Sequence, residues 1–551
     1  MPTVLSYPTG SVSSFLFETA KKFPSAPAIL FEGKSISFSA LCKEIDRVAS
    51  GLVKKGIQSG DRVMICMPNI PQAAVLFYAV NRIGGVAVMA HPLLSAEELA
   101  HHIKESRVKA VCTLDLLEEK FRHLWPEKTA KLLIVAKISE HLPPIKRQLY
   151  SLTKEKKKPL SPLPADVQRI PYQALSNASP LQSPHPGAAD EVAAILYSGG
   201  TTGVPKGILL TNKNFNALAM QTAAAGDCIK PGHLMLGILP LFHGFGLGIC
   251  LHTVLVHGCA VLLVPKFSVK TFATCLKKAK PNYIAGVPTL FEALLRADGL
   301  ANTDLSFLEG VFCGGDSLSP SLKDRVDAFL SDHGAKVQIR EGYGTTECVT
   351  ASCLTPKSES RRGSIGLPFP DTRYCICQPG TITPLPPEEE GEICLSGPTV
   401  MQGYDGHPEE TERVLLPHED GEIYLHTGDL GKMDRDGYVY FLQRRGRLII
   451  SSGYNIYPSQ IEEALDHHPD VWHSAVIGLP DVYKGQRVKA FVVPKKGISP
   501  DQTERDRLMA YLKNRIARYA LPSEIEFRTE LPKTAVGKID TKKLERESIQ
   551  N

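Results

Sequence analysis

Along the first hundred residues the apolar positions switch between two periods. Arg62-Val63-Met64-Ile65-Cys66-Met67, after Asp61, is a short and nearly unbroken apolar run, as expected of a strand buried on both faces. Ile70 to Ile83 then mixes small and apolar residues over a helical length. This alternation, from Ser35 to Arg107, predicts a layered α/β architecture. A further strand is predicted at Glu191 to Tyr197, running straight into Ser198-Gly199-Gly200-Thr201-Thr202-Gly203-Val204-Pro205-Lys206-Gly207. Leu308 to Phe312 reads as a strand, and Ser319-Pro320 caps and starts a helix reaching about Ser331. Short strands are predicted at Gly391–Leu395, Glu422–His426 and Tyr438–Leu442. After Gly446 the pattern becomes a compact α+β unit: a helix from Pro458, strands at Val471–Ile477 and Val488–Val493, and a helix from about Asp501 to Arg518. The boundary is placed at 443–446, dividing a large unit (1–442) from a small one (447–551). No fixed-period repeat is apparent.

The stretch from about Glu140 to Pro186 breaks this order. It is rich in Pro, Ser and Lys and has little periodicity. Lys146, Arg147, Lys154, Lys156, Lys157 and Lys158 face only Glu155 there and carry as much net charge as the whole chain. A solvated surface excursion is the plain reading. A patch touching an anionic membrane surface is the sharper one, with each base contributing about 1 kcal/mol.

Composition narrows the class without choosing a fold. The chain has 551 residues, 43% of them hydrophobic and 22% charged, and a net charge of +5. That length buries more than one core and needs no disulfide or metal staple. So small a charge over so long a chain excludes a nucleic-acid binder driven by bulk charge. The opening MPTVLSYPTG has neither a basic start nor an apolar core, so no signal peptide is expected. The most apolar long stretch, Gly237 to Pro265, is broken by His243, His252, His257, glycines and prolines. It never reaches the ~20 apolar residues of a membrane span. The 13 cysteines are scattered, and Cys375 and Cys377 stand closer than zinc spacing asks. Reduced thiols in a cytoplasm are the expectation, with the basic patch touching the inner membrane face on the sharper reading.

The strongest local chemistry lies at Ser198 to Gly207. Four glycines and two threonines follow a strand, so backbone N–H groups and hydroxyls can face a polyphosphate. Glycine permits the positive φ such a loop needs, and Lys206 adds a charge. This is not the P-loop of kinases and ATPases, G-x-x-x-x-G-K-[ST]. Pro205 stands in place of its second glycine, and Gly207 in place of the Ser or Thr.

YSGGTTGVPKG resembles the phosphate loop of the adenylate-forming superfamily of acyl-CoA synthetases, luciferases and peptide-synthetase adenylation domains. From about Ser14 to Leu544 the chain supplies that family's other motifs in order. Pro240-Leu241-Phe242-His243-Gly244-Phe245-Gly246 is similar to the segment lining the acyl site. Glu341-Gly342-Tyr343-Gly344-Thr345-Thr346-Glu347 resembles the adenine and magnesium motif, and His426-Thr427-Gly428-Asp429 the ribose motif. Arg444 sits where the family has its hinge-adjacent arginine. Ser452-Gly453-Tyr454-Asn455-Ile456-Tyr457-Pro458 is similar to the segment opening the small domain, and Pro532-Lys533-Thr534-Ala535-Val536-Gly537-Lys538 to the catalytic-lysine loop. Within the family the likeness is greatest to bacterial medium- and long-chain fatty acyl-CoA ligases. It rests on the second glycine of YSGGTTG, on Ala285 to Leu295, and on Phe312-Cys313-Gly314-Gly315-Asp316.

The resemblance implies an α/β fold with a large multi-subdomain N-terminal adenylation domain, layered α/β plus a small β-barrel-like part, and a small mobile α+β C-terminal domain. It also implies a reaction. A carboxylate attacks the α-phosphorus of ATP to give an acyl-adenylate and pyrophosphate, and the coenzyme A thiol then gives acyl-CoA and AMP. ATP, Mg²⁺ and coenzyme A are the implied cofactors and co-substrates. Lys538 would reach between the acyl oxygen and the α-phosphate, and Glu347 with Thr202 would hold Mg²⁺. Ser198, Gly199, Gly200, Thr201, Thr202, Gly203, Lys206 and Thr346 would face the phosphates. Asp429 would accept from both ribose hydroxyls, since a carboxylate has two oxygens. Tyr343 would lie against adenine, with Gly314, Gly315 and Asp316 as the other edge and Glu341, Gly342, Gly344 and Arg444 around it. His243, Gly244, Phe245, Gly286 and Gly315 would line the acyl pocket, His243 also serving catalysis. The glycines there, with Gly246 and Gly248, would leave volume for a tail. Gly446, Ser452, Gly453 and Tyr454 would serve the hinge and coenzyme A.

On the residues alone, plainer readings stand beside these. Glu347 can cap the turn after Gly344, and Asp429 can make an Asx turn. His243 can be a satisfied core histidine and Lys538 an ordinary surface lysine. The acyl-segment glycines can mark close strand–helix packing. The chain departs from the family at the hinge, where Gln443, Gly446 and Arg447 replace its usual residues. Glycine absorbs large φ/ψ changes, so a looser hinge with unchanged chemistry is expected. The favoured partner is a small carboxylic acid, a medium- or long-chain fatty acid. An aryl acid such as a cinnamate, or a bile acid, is the second reading, and an acyl carrier protein the alternative acceptor. A non-catalytic binding protein would lack Lys538 or Glu347. No nucleic-acid partner is expected, and a homodimer is the candidate assembly.

Overall fold

The computed structural model describes residues 4–123, 125, 130–153, 160–198, 205–297, 299–451, 454–534 and 538–550. Two large sheets carry most of the chain. A nine-stranded sheet runs in the order Leu367–Pro368, Cys353–Leu354, Ile339–Tyr343, Gly310–Cys313, Tyr283–Gly286, Leu234–Gly237, Ala260–Leu263, Pro27–Phe31 and Lys34–Ser37. Its central strands, from Ile339–Tyr343 to Pro27–Phe31, are parallel. An eight-stranded sheet is ordered Gly403–Tyr404, Lys206–Thr211, Val192–Ser198, Val86–Met89, Arg62–Cys66, Ala110–Leu114, Leu132–Ala136 and Gln168–Pro171.

Parallel strands buried on both faces explain the unbroken apolar runs: Val86–Met89, Ala110–Leu114 and Leu132–Ala136 are buried throughout. Helix Pro71–Arg82 starts on a proline at its first turn and is buried from Pro71 to Asn81. A helix enclosed on all sides needs no polar stripe, which is why that segment showed no clear amphipathic period. The apolar stretch after Gly237 forms a π-helix over Phe245–Thr253. Thr253 Oγ1 donates to the Gly248 carbonyl at 2.8 Å. His252 is a satisfied core histidine: Nδ1 lies 3.1 Å from Tyr78 Oη, and Nε2 3.1 Å from Asn216 Oδ1.

A five-stranded antiparallel sheet joins Arg373–Cys377, Gly391–Ser396, Ile423–Met433, Leu415–Pro417 and Val439–Arg444. Among the described residues its pairing is that of an open sheet. The strand expected at Glu422–His426 runs on to Met433, so His426–Asp429 lies inside it. After Arg445–Arg447, a further five-stranded sheet is covered by helices Pro458–Asp466, Gln502–Lys513 and Thr541–Gln550. The helix expected to reach Arg518 stops at Lys513, and a separate turn forms at Arg518–Ala520.

The Glu140–Pro186 stretch is more ordered than its composition predicts. It holds helix Pro144–Thr153, edge strand Gln168–Pro171 and helix Tyr172–Ser176. The first of these leaves Ile145 and Leu149 exposed, so no buried stripe marks it in the sequence. Lys154, Lys156, Lys157 and Lys158 lie outside the described residues. No helix among the described residues is long and apolar enough to cross a membrane.

Candidate active site

The parallel strands Gly310–Cys313 and Ile339–Tyr343 are neighbours, with Cys313 beside Glu341. Their carboxyl ends open into one crevice, the usual ligand position in such sheets. The first strand ends in Gly314-Gly315-Asp316 and the second in Gly344-Thr345-Thr346-Glu347. Gly315 has φ +81°, which an L side chain rarely adopts. A Cβ on Gly314 would lie 2.9 Å from the Gly342 carbonyl oxygen, and one on Gly344 2.3 Å from that of Thr350. Glycine is therefore what lets these two turns approach. Asp316 is exposed, its Oδ1 accepting the Ser317 N–H at 3.0 Å. Glu341 accepts the Leu318 N–H at 3.2 Å, and burial pushes its carboxyl up to about 8.

A chain of polar contacts closes one wall. Tyr343 Oη donates to Asp429 Oδ2 at 2.7 Å. Asp429 stands directly across its strand pair from Arg444, whose Nε lies 3.3 Å from Oδ1. Asp429 is buried, and Oδ1 has no hydrogen-bond partner among the described residues. Burial raises its carboxyl above the usual range, opposed by the Arg444 charge. The Arg444 charge faces this oxygen without a hydrogen bond, which leaves it able to accept a donor from a ligand. The expectation that both oxygens stand open changes: Oδ2 is already engaged by Tyr343. The Tyr343 ring packs against Phe441, centroids 5.9 Å apart.

Glu347 lies in the short turn Thr346–Cys348. Tyr404 Oη donates to its Oε1 at 3.0 Å, while Oε2 has no partner among the described residues. A half-exposed carboxylate oxygen is a donor suited to a hard divalent cation. Lys206 lies on the Tyr404 side of the crevice. Its Nζ lies 3.6 Å from Glu410 and 5.4 Å from the centre of the Tyr404 ring. Ser198 ends one strand of a hairpin and pairs with Lys206 at the start of the next. The connection thus leads from strand to strand, where a P-loop leads to a helix. Gly199, Gly200, Thr201, Thr202 and Gly203, between them, lie outside the described residues, as do Ser452 and Gly453.

Lys538 comes to the crevice from the far end of the chain. The Lys538 N–H donates to Thr534 Oγ1 at 3.2 Å, and Thr534 N–H to the Lys538 carbonyl at 2.7 Å. Its Cε lies 3.9 Å from where a Gly315 Cβ would stand. Burial holds the ammonium below the ordinary lysine value, Arg444 adding to the effect against Asp316 and Asp429. His243 shares this environment: burial, then the Lys538 charge, push the imidazole down to about 4. Its Nδ1 accepts the Phe245 N–H at 3.2 Å, so the neutral ring carries its proton on Nε2.

Behind Gly314 and Gly315 lies a narrow cavity of about 50 Å³. Phe245, Ile249, Met235, Phe312 and Leu354 give it apolar walls, and Thr350 and Ala351 complete one side. The glycines expected to leave room for a tail are mostly used elsewhere. A Cβ on Gly244 would lie 1.7 Å from the Val349 carbonyl oxygen, on Gly246 2.1 Å from that of Pro240, on Gly248 2.6 Å from Leu218, and on Gly286 2.2 Å from Leu290. They serve close packing, the plainer reading; Gly315 and Phe245 do line the cavity.

Gly446 sits in the turn Arg445–Arg447, and a Cβ there would meet nothing within 4 Å. Arg447 donates to Glu462 at 2.6 Å. Gln443 is buried, with neither amide atom paired among the described residues. Tyr454 is exposed and stacks on Tyr519, centroids 4.5 Å apart.

Tyr404, Glu410 and Val349 were not found from sequence. Val349 has φ +66° and ψ −57°, with the Thr350 N–H donating to the Cys348 carbonyl at 2.8 Å. This three-residue turn is strained for a β-branched residue, and it links Glu347 to the cavity wall at Thr350. No local pattern signals it; the glycine at 244 that admits its carbonyl is the nearest cue.

Comparison with known proteins places the chain in context. Residues 16–405 match the family model described as AMP-binding enzyme, and residues 460–538 that of the AMP-binding enzyme C-terminal domain. The chain is 36% identical to a long-chain-fatty-acid–CoA ligase of Bacillus subtilis, covering 100% of this chain and 97% of the relative. It is 32% identical to a feruloyl-CoA synthase of an Amycolatopsis species, over 96% and 97% of the two chains. The crystal structure of ATP-bound MatB from Rhodopseudomonas palustris superposes with a TM-score of 0.82 at 26% identity, covering 98% of each chain.

Proposed function

We propose, for a chain that belongs to the AMP-binding enzyme family, that its acid substrate is a medium- or long-chain fatty acid. The protein is an adenylate-forming acyl-CoA ligase that uses ATP and coenzyme A. The apolar cavity opening beside Gly314 and Gly315 carries the fatty-acid reading: it offers hydrocarbon walls directly behind a polar crevice. The similarity to fatty-acid ligases supports it. An aryl acid is the second reading, supported by the feruloyl-CoA synthase relative. A panel of fatty, aryl and steroid acids, read by AMP release with and without coenzyme A, tests the choice. Aryl or steroid acids outrunning every fatty acid would reject it, and AMP release indifferent to coenzyme A would favour a carrier-protein acceptor.

In our reading, each residue acts through charge or position. The attacking carboxylate drives negative charge onto the α-phosphoryl oxygens, and the Lys538 ammonium neutralises it. Asp429 Oδ1 takes a ribose hydroxyl while Tyr343 and Arg444 hold the carboxylate. Tyr343 and Gly314–Asp316 border the base. His243 is neutral at physiological pH, so it offers an Nε2 proton without adding a cation beside Lys538. Glu347 Oε2, with Thr202, would hold Mg²⁺, whose charge offsets that of the phosphates. Ser198 to Gly203 and Thr346 would donate to phosphate oxygens, with Lys206 steadied by Glu410 behind them.

Thiol attack needs Lys538 out of the way. We place the hinge at 443–446, between units 1–442 and 447–551, and assign the rotation to it. Gly446 is not required by sterics in the present arrangement, which supports a use for its freedom in another. The unpaired amide of Gln443, at about 1–3 kcal/mol, is a cost a rotation can relieve. Gly446→Pro should spare adenylate formation and slow thioester release; equal loss of both in single-turnover assays would reject this.

A peripheral membrane contact through Lys146–Lys158 is supported by helix Pro144–Thr153. Exposed Ile145 and Leu149 lie one turn apart there, beside Lys146 and Arg147, although Lys146 Nζ is also 2.8 Å from Glu32. Cosedimentation with anionic vesicles that survives Ile145→Asp with Leu149→Asp would reject it.

A further inference from the structure

A sulfur- and imidazole-rich cluster lies in the antiparallel sheet, outside everything the reaction uses. Strand register builds it. Cys375 stands directly opposite Cys394, and Cys394 directly opposite His426 on the next strand. Residues opposite one another share a face of a sheet, as do residues two apart on one strand. Cys375, Cys394 and His426 therefore form one row, with Cys377 beside it. His418 follows strand Leu415–Pro417 and turns back toward the row.

The distances are short. Cys375 Sγ lies 3.4 Å from Cys377 Sγ, and the Nε2 atoms of His418 and His426 are 3.0 Å apart. Cys375, Cys377 and His418 each bring a ligand atom to within 4.8 Å of the others. A tetrahedral Zn²⁺, with bonds of about 2.3 Å to sulfur and about 2.0–2.1 Å to nitrogen, separates two thiolates by about 3.8 Å and two imidazole nitrogens by about 3.4 Å. The Cys375–Cys377 pair needs to open by only about 0.4 Å to admit it. Behind His426, Nδ1 lies 3.5 Å from Glu392 Oε2 and 3.4 Å from Cys394 Sγ. These contacts fix the His426 ring beside His418.

We propose that Cys375, Cys377 and His418 hold a Zn²⁺ ion whose fourth position is left to solvent, with His426 beside His418 positioning that ring. Two thiolates and an imidazole suit Zn²⁺ and exclude Mg²⁺ and Ca²⁺, which take oxygen. Cys375 and His418 are half-buried, giving an entry path, while Cys377 and His426 are buried. The site ties edge strand Arg373–Cys377 to His418, which meets His426 on strand Ile423–Met433, three residues before Asp429. Glu392 Oε1 also accepts the Gly428 N–H at 2.9 Å, so the clamp steadies the nucleotide wall without touching it. The C-x-C spacing hid it, because the fold of the sheet rather than a loop brings the three residues together.

The test uses the full-length, untagged, reduced protein after chelator treatment, titrated with Co²⁺ alone and then with Zn²⁺. A single equivalent of Co²⁺ should produce a thiolate-to-cobalt charge-transfer band and tetrahedral d–d bands, both displaced by Zn²⁺. Cobalt at the Glu347 carboxylate has no thiolate and cannot mimic the first. Cys375→Ser should weaken the charge-transfer band and lower Zn²⁺ affinity about tenfold or more, while its metal-free Tm matches that of the wild type. Zn²⁺ should raise the Tm of the wild type alone. Absence of the charge-transfer band in the wild type, or its persistence unchanged in both Cys375→Ser and Cys377→Ser, overturns the assignment.

Discussion

The two walls of the crevice are built on opposite principles. On the polar side, single contacts hold each group: Tyr343 to Asp429, Arg444 to Asp429, Tyr404 to Glu347. On the apolar side, Phe245, Ile249 and Phe312 define a volume, and no one contact dominates. Loss on the first side should therefore come in steps, and on the second in gradations. The glycines of Gly314–Gly315 belong to both, which lets the two kinds of recognition meet at the reacting carboxylate.

The largest expected break is on the polar side. Lys538→Ala should lower adenylate formation about a hundredfold to a thousandfold, as for loss of a group that stabilises developing negative charge. It should leave thioester formation from presynthesised acyl-adenylate intact, measured by rapid quench. Because the Lys538 ammonium is held below the ordinary lysine value, adenylation should fall as pH rises through that lowered value. Lys538→Arg, charged throughout, should lose this alkaline limb even though its rate is low.

Next, Asp429→Asn should raise the KM for ATP about tenfold to a hundredfold, as expected for a charged hydrogen bond of about 1.5–3 kcal/mol, with no change in preference among acids. A shift in acid preference would show that the walls are not separate.

The apolar side predicts a slope. Each methylene should raise kcat/KM about fourfold, or about 0.8 kcal/mol, until the cavity is full. Ala351→Phe, on the cavity wall, should move that limit to shorter acids and leave the KM for ATP unchanged.

The smallest effect concerns stability. Burial pushes the Glu341 carboxyl up to about 8 from an ordinary value of 4.5, so the folded state binds more protons than the unfolded between those values. Stability should then fall as pH rises through that window. Glu341→Gln should flatten the dependence, gaining on the wild type at the alkaline end, as measured by chemical unfolding.

The same contrast governs what could be read from the sequence. Strand-to-turn motifs that end in charged residues, such as Glu341 to Glu347, announce their chemistry locally. Partners from distant strands do not: Tyr404 meets Glu347 and Tyr343 meets Asp429 only through sheet packing. Glycine signals close approach without saying to what: Gly244 meets the Val349 carbonyl and Gly286 meets Leu290, contacts no local pattern names. Lys206 carried a charge beside a phosphate-like loop, and its pairing with Glu410 was invisible. Helix Pro144–Thr153 hid because its apolar side chains face outward. The cysteine–histidine cluster hid because the fold of the sheet, not spacing, assembles it.

The account stands on one crevice joining a nucleotide wall to an acid cavity at Lys538. The most direct test is exchange of labelled pyrophosphate into ATP, with Mg²⁺, without coenzyme A, across fatty acids of increasing length. Exchange that requires the acid, rises with chain length to a limit, and has that limit shortened by Ala351→Phe is the predicted result. Exchange absent with every acid, or equally fast without any, would contradict it.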